Sequence, residues 1–174
     1  MTRGPLRTRE PVRTRARILA TAGMLFARHG FHGVGFREIA TRAGVSLQMP
    51  HHHFRSKVAL FAECVRYALD RRMNLPRLFD SEPSFANPKA AKEAVAEKIR
   101  ACFFAVIPPS GQSSWCGELL ARALVENIQG SLSAFQEGLK PARDWFDAAL
   151  RCIRPDMTSA EYWFWYVSLW AQIS

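Results

Sequence analysis

The sequence lacks the long apolar run and the leader-like start that identify membrane and secreted proteins. It contains no uninterrupted stretch of about 18 or more apolar residues, so a membrane span is not expected. The arginines near the start have no apolar stretch behind them before Ile18, so no secretory signal is expected either. The expected location is therefore the cytoplasm.

Cysteine is scarce, and the common catalytic motifs are missing. The four cysteines are widely spaced and form no C-x-x-C pair, which predicts small buried thiols on helices rather than a zinc site or a disulfide framework. The sequence has no G-x-S-x-G, no H-E-x-x-H, no phosphate loop and no clustered carboxylate–histidine set. We therefore expect no enzyme activity, no cofactor and no metal.

Negative charge is rare in the first third of the chain. Residues 1–57 contain 11 Lys and Arg but only Glu10 and Glu38, and they account for the whole formal net charge of +9. A basic excess confined to one part of a molecule is typical of a nucleic-acid-binding surface. A solvated basic tail is the alternative, and a membrane-surface helix is a weaker one.

Helical periodicity and glycine spacing predict a helix-turn-helix unit in this basic part. The predicted helices span residues 12–29, 36–43, 47–53 and 57–74. Gly30 is expected to end the first helix, and Gly44 to supply the turn between the second and third. Ser46 is the predicted N-cap of the third helix, and Ser56 that of the fourth.

The remainder of the chain is also predicted to be helical, with no strand-like alternation of useful length. The predicted helices cover residues 88–107, 114–129, 131–140, 141–154 and a last one from 158 or 159, and a proline-containing loop covers 76–88. The predicted fold is all-α, with a three-helix helix-turn-helix DNA-binding head followed by a helical-bundle C-terminal domain. The predicted parts are a flexible basic arm (1–11), the head (12–57), a linking helix (57–74) and the C-terminal domain (75–174). Because the chain stops inside an apolar helix, we expect the C-terminal domain to be truncated.

Residues 16–61 carry a set of short motifs at fixed spacings. These are Ile18-Leu19, Leu25-Phe26, Gly30-Phe31, Ile39-Ala40, Ala43-Gly44-Val45-Ser46, His53-Phe54, Ser56-Lys57 and Leu60. Together they resemble the DNA-binding head of the TetR family of bacterial regulators, over about the first 70 residues. Two later segments, Glu118-Leu119-Leu120 and Leu139-Lys140-Pro141, resemble the CecR-like subgroup of that family.

The resemblance implies that the helical-bundle C-terminal domain serves ligand binding and dimerisation, and it also implies a mode of action. Members of the family are usually homodimers that bind operator DNA through two heads, and a small molecule in the body usually changes the head spacing and releases the DNA. The sequence departs from the family pattern at three positions. Pro50 stands where Leu or Ile is common, His51 where a phosphate-contacting Tyr is usual, and Gly35 where a capping Ser or Thr is usual. We expect Pro50 to forfeit only the helical bond to the Ser46 carbonyl.

The third helix is expected to carry DNA recognition. Gln48 is the best candidate base reader, because its amide can pair with adenine. Leu47 and Met49 are expected to touch a thymine methyl group, or otherwise to make exposed or capping apolar contacts, and His52 to donate to a guanine or a phosphate. The predicted phosphate clamps, with ordinary solvated charge as the alternative for the Arg and the Lys, are Arg37, Ser46, His51 and Lys57.

Three adjacent histidines, residues 51–53, raise the question of a metal site. Neighbours one and two apart on a helix point about 100° and 200° away from each other, so they cannot chelate together. His53 is instead expected to pack inward beside Phe54.

Aromatic residues concentrate late in the chain, where they indicate a core, a ligand cavity or a dimer face. Residues 162–170 are apolar nearly all around, so their helix is expected to be buried on several sides. An apolar cavity there would suit a small hydrophobic effector. The candidate pocket residues are Phe103, Trp115, Glu118, Arg122, Trp145, Trp163 and Tyr166.

Taken together, these patterns predict a sequence-specific transcriptional regulator, most simply a repressor released from double-stranded operator DNA by a small apolar effector. Two alternatives stay open from the sequence. One is a DNA-binding regulator with no small-molecule effector, and the other is a helical protein-interaction module whose basic end binds acidic partners.

Overall fold

The computed structural model describes residues 9–106 and 114–171, and within these ranges every regular element is a helix. The helices are α1 (Arg9–His29), α2 (Phe36–Ala43), α3 (Gln48–His53), α4 (Lys57–Tyr67), α5 (Leu75–Leu78), α6 (Pro88–Val106), α7 (Trp115–Val125), α8 (Ser131–Ile153) and α9 (Ser159–Ala171). The predicted all-α fold is confirmed. Among the described residues, no helix combines the length and apolarity that a membrane crossing requires.

The chain divides into two compact units. Unit 1 consists of Met1–Arg72 and Trp115–Phe135, and unit 2 of Met73–Ser114 and Gln136–Ser174. Unit 1 is larger than the predicted head, because α7 packs along α1 and α4 instead of grouping with the later helices. The assignment of separate DNA-binding and ligand-binding roles to the domains stays a prediction.

The core of unit 1 forms around the apolar face of α1. Ile18, Leu25 and Phe26 recur at helical spacing and are buried. The rings of Phe26 and Phe61 meet edge to face with centroids 5.1 Å apart, which fixes α1 against α4. α1 begins three residues before its predicted start and includes Pro11, because a proline in a first helical turn costs no helical hydrogen bond.

The ends of the head helices follow the predicted signals. Gly30 has a φ of +73° just after α1, and α2 spans the predicted residues 36–43. The Ser56 hydroxyl accepts a hydrogen bond from the Ala59 N–H at 3.1 Å and so caps α4, as expected. The fourth helix continues as predicted as far as Arg72, with an α-helical part, Lys57–Tyr67, followed by a π-helical stretch, Ala68–Arg72. The end predicted at about residue 74 is wrong by two residues.

Two helix predictions for the later part of the chain are also wrong. The proline-based break at Pro141 does not occur, and α8 runs continuously through it. The buried residues at helical spacing on both sides of Pro141, such as Leu139, Ala142 and Trp145, offset the missing hydrogen bond through packing. α7 ends at Val125 rather than near residue 129, because the chain turns through Asn127 and Gly130, both with positive φ.

The last helix differs from its expected burial. Trp163, Phe164 and Trp165 are 63%, 70% and 56% exposed, so α9 is not buried on several sides in the single chain. Its start matches the prediction, since Thr158 and Glu161 form a reciprocal capping box. None of the four cysteines, all of which lie in described helices, forms a disulfide bond, and burial raises the pKa of the Cys102 thiol to about 11.

Candidate nucleic-acid interface

The third helix presents a solvent-exposed surface on a basic part of the molecule. Leu47, Gln48, His51 and His52 are exposed, and Met49 is half-buried. Pro50 is buried and anchors the inner side of the short helix. The structure therefore leaves the side chains proposed for base contacts accessible at one place.

The turn before α3 depends on glycine. Gly44 ends α2 with φ +62° and ψ +42°, the left-handed conformation, and its N–H donates to the carbonyl groups of Ala40 and Thr41. The Val45 N–H also donates to the Ala40 carbonyl, at 3.0 Å. This compact turn redirects the chain within a few residues and sets α3 at an angle to α2.

The start of α3 differs from the prediction at Ser46. Leu47 is the N-cap, and no side chain caps the helix. The Ser46 carbonyl instead accepts a hydrogen bond from the Met49 N–H at 3.0 Å. Pro50 is consequently the third helical residue, within the first turn, where N–H groups have no helical partner. The expected loss of one helical bond therefore does not arise.

A ring contact between α2 and α3 positions His51, and Arg37 lies nearby on α2; both are predicted phosphate-binding residues. The ring of His51 lies against that of Phe36. Arg37 is exposed one residue further along α2, and its carbonyl accepts a hydrogen bond from the Thr41 hydroxyl. The Glu38 carboxylate pairs at 3.7 Å with Arg42, the other arginine of this helix.

Lys57 begins α4, beside the capped N-terminus. Its Nζ atom lies 4.5 Å from the centre of the Phe31 ring, a cation–π contact that holds the ammonium group near the link between α1 and α2. The N–H groups and the dipole at a helix start favour an anion, and the lysine adds a full positive charge. The arrangement suits a DNA phosphate.

His53 turns away from the exposed surface, as expected from the sequence. It is half-buried beside Phe54, and within the described part of the chain its buried Nε2 atom has no hydrogen-bond partner. Burial lowers the pKa of His53, and the nearby charges of His52 and Arg15 lower it further. Across residues 9–106 and 114–171, no group of three His, Cys, Asp or Glu side chains is placed to hold a metal ion.

One exposed cation near the interface was not among the predicted site residues. Arg55 lies in the link between α3 and α4 and is exposed, two residues from Lys57. The motif pairs His53-Phe54 and Ser56-Lys57 lie on either side of Arg55. The sequence therefore does contain a signal that Arg55 belongs to the site. Arg15, by contrast, is engaged internally, with its Nη2 atom 2.6 Å from Glu63 Oε2.

The predicted pocket residues do not gather within one unit. Trp115, Glu118 and Arg122 belong to unit 1, whereas Phe103, Trp145 and Trp163 belong to unit 2. Trp145 is buried among aromatic rings, and Phe103 and Trp163 are exposed. The side chain of Tyr166 lies outside the described residues. This pocket stays a prediction.

Two of these residues have specific surroundings. The Arg122 guanidinium donates to the carbonyl groups of Ala27 and Arg28 at the end of α1. Trp115 lies directly over Gly23, where a Cβ atom would come within 2.3 Å of the indole ring. Both contacts hold α7 against α1.

Unit 2 contains a surface groove of about 190 Å³. It is lined by Leu150, Arg151, Arg154, Pro155, Met157, Thr158, Tyr162 and Trp163. Of the predicted pocket residues, Trp163 lines this groove. Its volume is below the roughly 300–1,000 Å³ of pockets that enclose drug-sized ligands.

Comparisons with known proteins are consistent with this geometry. Residues 18–64 match the family described as bacterial regulatory proteins, tetR family. The chain is 33% identical over 119 residues to the HTH-type transcriptional regulator RutR of Escherichia coli strain K12, covering 67% of this chain and 54% of RutR. It is 30% identical over 148 residues to the HTH-type transcriptional regulatory protein RaaS of Mycobacterium tuberculosis, covering 78% of this chain and 57% of RaaS.

A solved structure extends the likeness of the fold. The chain aligns with the crystal structure of a putative transcriptional regulator from Pseudomonas aeruginosa PAO1 at a TM-score of 0.68 and 24% identity, covering 96% of this chain and 78% of that one. The chain spans little more than half the length of RutR and RaaS. The matched segment 18–64 contains α2, α3 and the turn between them, which are the elements that form the candidate interface.

Proposed function

We propose that the chain is a sequence-specific transcriptional regulator of the TetR family, which inserts α3 into the major groove of operator DNA. The match of residues 18–64 to that family supports the proposal. The observation that carries the proposal is the exposed surface of α3, presented after the left-handed turn at Gly44 on a basic part of the chain. A short helix held in this way is the element that reads bases in helix-turn-helix proteins.

The side chains divide into two roles. Gln48 reads an adenine through its amide, Leu47 and Met49 contact thymine methyl groups, and His52 donates to a guanine or a phosphate. Arg37, Ser46, His51 and Lys57 hold backbone phosphates, as does the neighbouring Arg55. Phosphate contacts supply affinity and register, whereas the α3 contacts supply the sequence preference.

The proposal includes a homodimer that acts in the cytoplasm on an inverted-repeat operator. A two-fold dimer matches the symmetry of such a site, with half-sites about one helical turn apart. The exposed aromatic residues of α9 support dimerisation, since three large apolar side chains in succession at 56–70% exposure are costly in a monomer.

The proposed mode of regulation is repression, with a small apolar effector that releases the DNA. In unit 2 the rings of Phe79, Trp145 and Phe146 contact one another, and Phe85 contacts Trp145. This aromatic cluster supports an apolar ligand-binding role. A thermal-shift screen with small apolar and aromatic compounds tests this part. A compound that raises Tm and weakens DNA binding supports it, whereas DNA binding unaffected by every stabilising compound favours a regulator without an effector.

Gel-shift assays with fragments of the source genome test the DNA-binding proposal itself. At ~150 mM salt, binding that depends on phosphate contacts alone is weak. We therefore expect the protein to bind a few fragments selectively. Fragments with scrambled half-sites serve as the control. Equal binding to every fragment would reject a sequence-specific regulator and favour the interaction module with a basic end.

A further inference from the structure

Arg122 in α7 and Glu126, the residue just past its end, reach across to the end of α1 and to Phe31, two residues beyond that end. Arg122 donates from Nε to the Ala27 carbonyl at 2.6 Å and from Nη2 to the Arg28 carbonyl at 3.3 Å. These carbonyl groups belong to the last turn of α1, where they have no helical partner. Arg122 is thus a cationic C-cap supplied by another helix, at the end where the helix dipole favours positive charge.

Glu126, four residues after Arg122 and just past the end of α7, continues the same contact. Its Oε1 atom accepts from Arg122 Nη1 at 3.1 Å, and its Oε2 atom accepts from the Phe31 backbone N–H at 2.9 Å. Gly30 lies beside the Arg122–Glu126 pair, and a Cβ atom at residue 30 would stand 2.8 Å from Glu126 Oε1. The absence of a side chain at residue 30 therefore permits the close approach of the pair.

Phe31 connects this pair to the DNA-facing side of unit 1. Its buried ring meets that of Phe61 edge to face, with centroids 5.5 Å apart, and carries the Lys57 ammonium group on its face. Glu126 holds the Phe31 backbone, and the Phe31 ring holds Lys57. All of these residues belong to unit 1.

From this chain of contacts we infer that Arg122 and Glu126 are positioning residues for DNA binding, which act through Phe31 to place the Lys57 ammonium group for a backbone phosphate. The inference rests on the proposed function, and it adds a role for α7 in DNA binding. It also gives a role to the Arg122–Glu126 ion pair, whose side chains are 39% and 21% exposed. Both side chains bind backbone groups at or just after the end of α1.

A double-mutant cycle between Glu126 and Lys57 tests the inference. The affinities of the full chain, Glu126→Ala, Lys57→Ala and the double variant for one duplex are measured by fluorescence anisotropy. Glu126→Ala is expected to weaken binding by roughly three- to tenfold in the Lys57 background and to have little effect in the Lys57→Ala background, because coupled residues are not additive. Equal losses in both backgrounds would overturn the inference.

Amide hydrogen exchange gives a readout that is independent of DNA. The Phe31 amide is expected to exchange faster in Glu126→Ala, whereas Glu126→Gln keeps an acceptor oxygen and should preserve both the protection and most of the affinity. Unchanged exchange in Glu126→Ala, or no rescue by Glu126→Gln, would also overturn the inference. Asp144→Ala is the matched control, because it removes an i,i+4 ion pair within α8 of unit 2 and should change neither readout.

The two proposals fail in different ways. Lys57 contacts phosphates whatever the sequence, so the cycle can be completed on a duplex that is bound without sequence preference. Nonspecific binding by the unaltered chain would reject the specific regulator and leave the cycle informative. Selective binding with additive losses would reject the positioning role alone.

Discussion

The rings of Phe36 and His51 lie with their centroids 4.3 Å apart at an interplanar angle of 52°. Phe36 is the first residue of α2 and His51 lies in the middle of α3, so this contact joins the two helices of the helix-turn-helix unit at the end away from Gly44. The turn at Gly44 and the Phe36–His51 contact together fix the orientation of α3 relative to α2.

The Phe36–His51 contact is expected to matter for both stability and DNA binding. Phe36→Ala should lower the free energy of unfolding by roughly 1–2 kcal/mol, since aromatic pairing and part of a half-buried ring are lost. DNA affinity should fall as well, because α3 loses a restraint. Phe36→Tyr keeps the ring and is the control. Urea unfolding and anisotropy measure the two effects, and full DNA affinity in Phe36→Ala would contradict the positioning role of the ring.

Gln48→Ala and Lys57→Ala are expected to have different signatures. Gln48→Ala should relax the sequence preference at one base pair, with a loss of roughly 1–3 kcal/mol on the preferred operator only. Lys57→Ala should weaken all sequences alike and reduce the slope of log affinity against log salt by about one. Titrations of operator variants at several salt concentrations separate the two. A retained base preference in Gln48→Ala would refute its role as a base reader.

The sequence predicts the helix-turn-helix unit well because its signals are local. Gly35 and Gly44 bracket α2, and Ser56 caps α4 with its own side chain, so these boundaries depend only on nearby residues. Pro141 shows where local rules fail. The proline predicts a break, but packing of the apolar face of α8 outweighs the roughly 3 kcal/mol that an interior proline costs.

Contacts between distant segments could not be read from the sequence. Arg122 and Glu126 are recognisable as an i,i+4 pair, but the α1 carbonyl groups that Arg122 binds are 94 and 95 residues away along the chain. The pairing of Phe36 with His51 likewise depends on the angle between two helices. Periodicity identifies which side chains face outward, whereas the partners of those side chains follow only from the folded chain.

Gly44 and Gly30, two of the glycines with positive φ, are expected to respond differently to alanine. Gly44 has φ +62°, and a Cβ atom added there would meet none of the described residues within 4 Å, so Gly44→Ala should cost only backbone strain, roughly 1–2 kcal/mol. Gly30 has φ +73° and faces Glu126 at 2.8 Å, so Gly30→Ala should cost more, because it also displaces the pair. Urea unfolding of both variants, alone and with Glu126→Ala, measures the difference. If the excess cost at Gly30 persists without Glu126, the close approach is not its cause.

The stability of the head is expected to fall below neutral pH because of His53. Burial, with His52 and Arg15 nearby, lowers the pKa of His53 in the folded chain, so the unfolded chain binds a proton first as the pH falls below about 6.5. The folded state is therefore at full stability above that pH and loses stability as the pH falls from there through the lowered pKa. His53→Gln cannot be protonated and should show a smaller decrease in Tm between about pH 7.5 and about pH 5.5 than the unaltered chain.

His29→Gln, at an exposed position, is the control and should keep the full decrease. An equal decrease in His53→Gln and the unaltered chain would mean that other groups carry the pH dependence, and the burial of the His53 ring would then have no consequence for stability in this pH range.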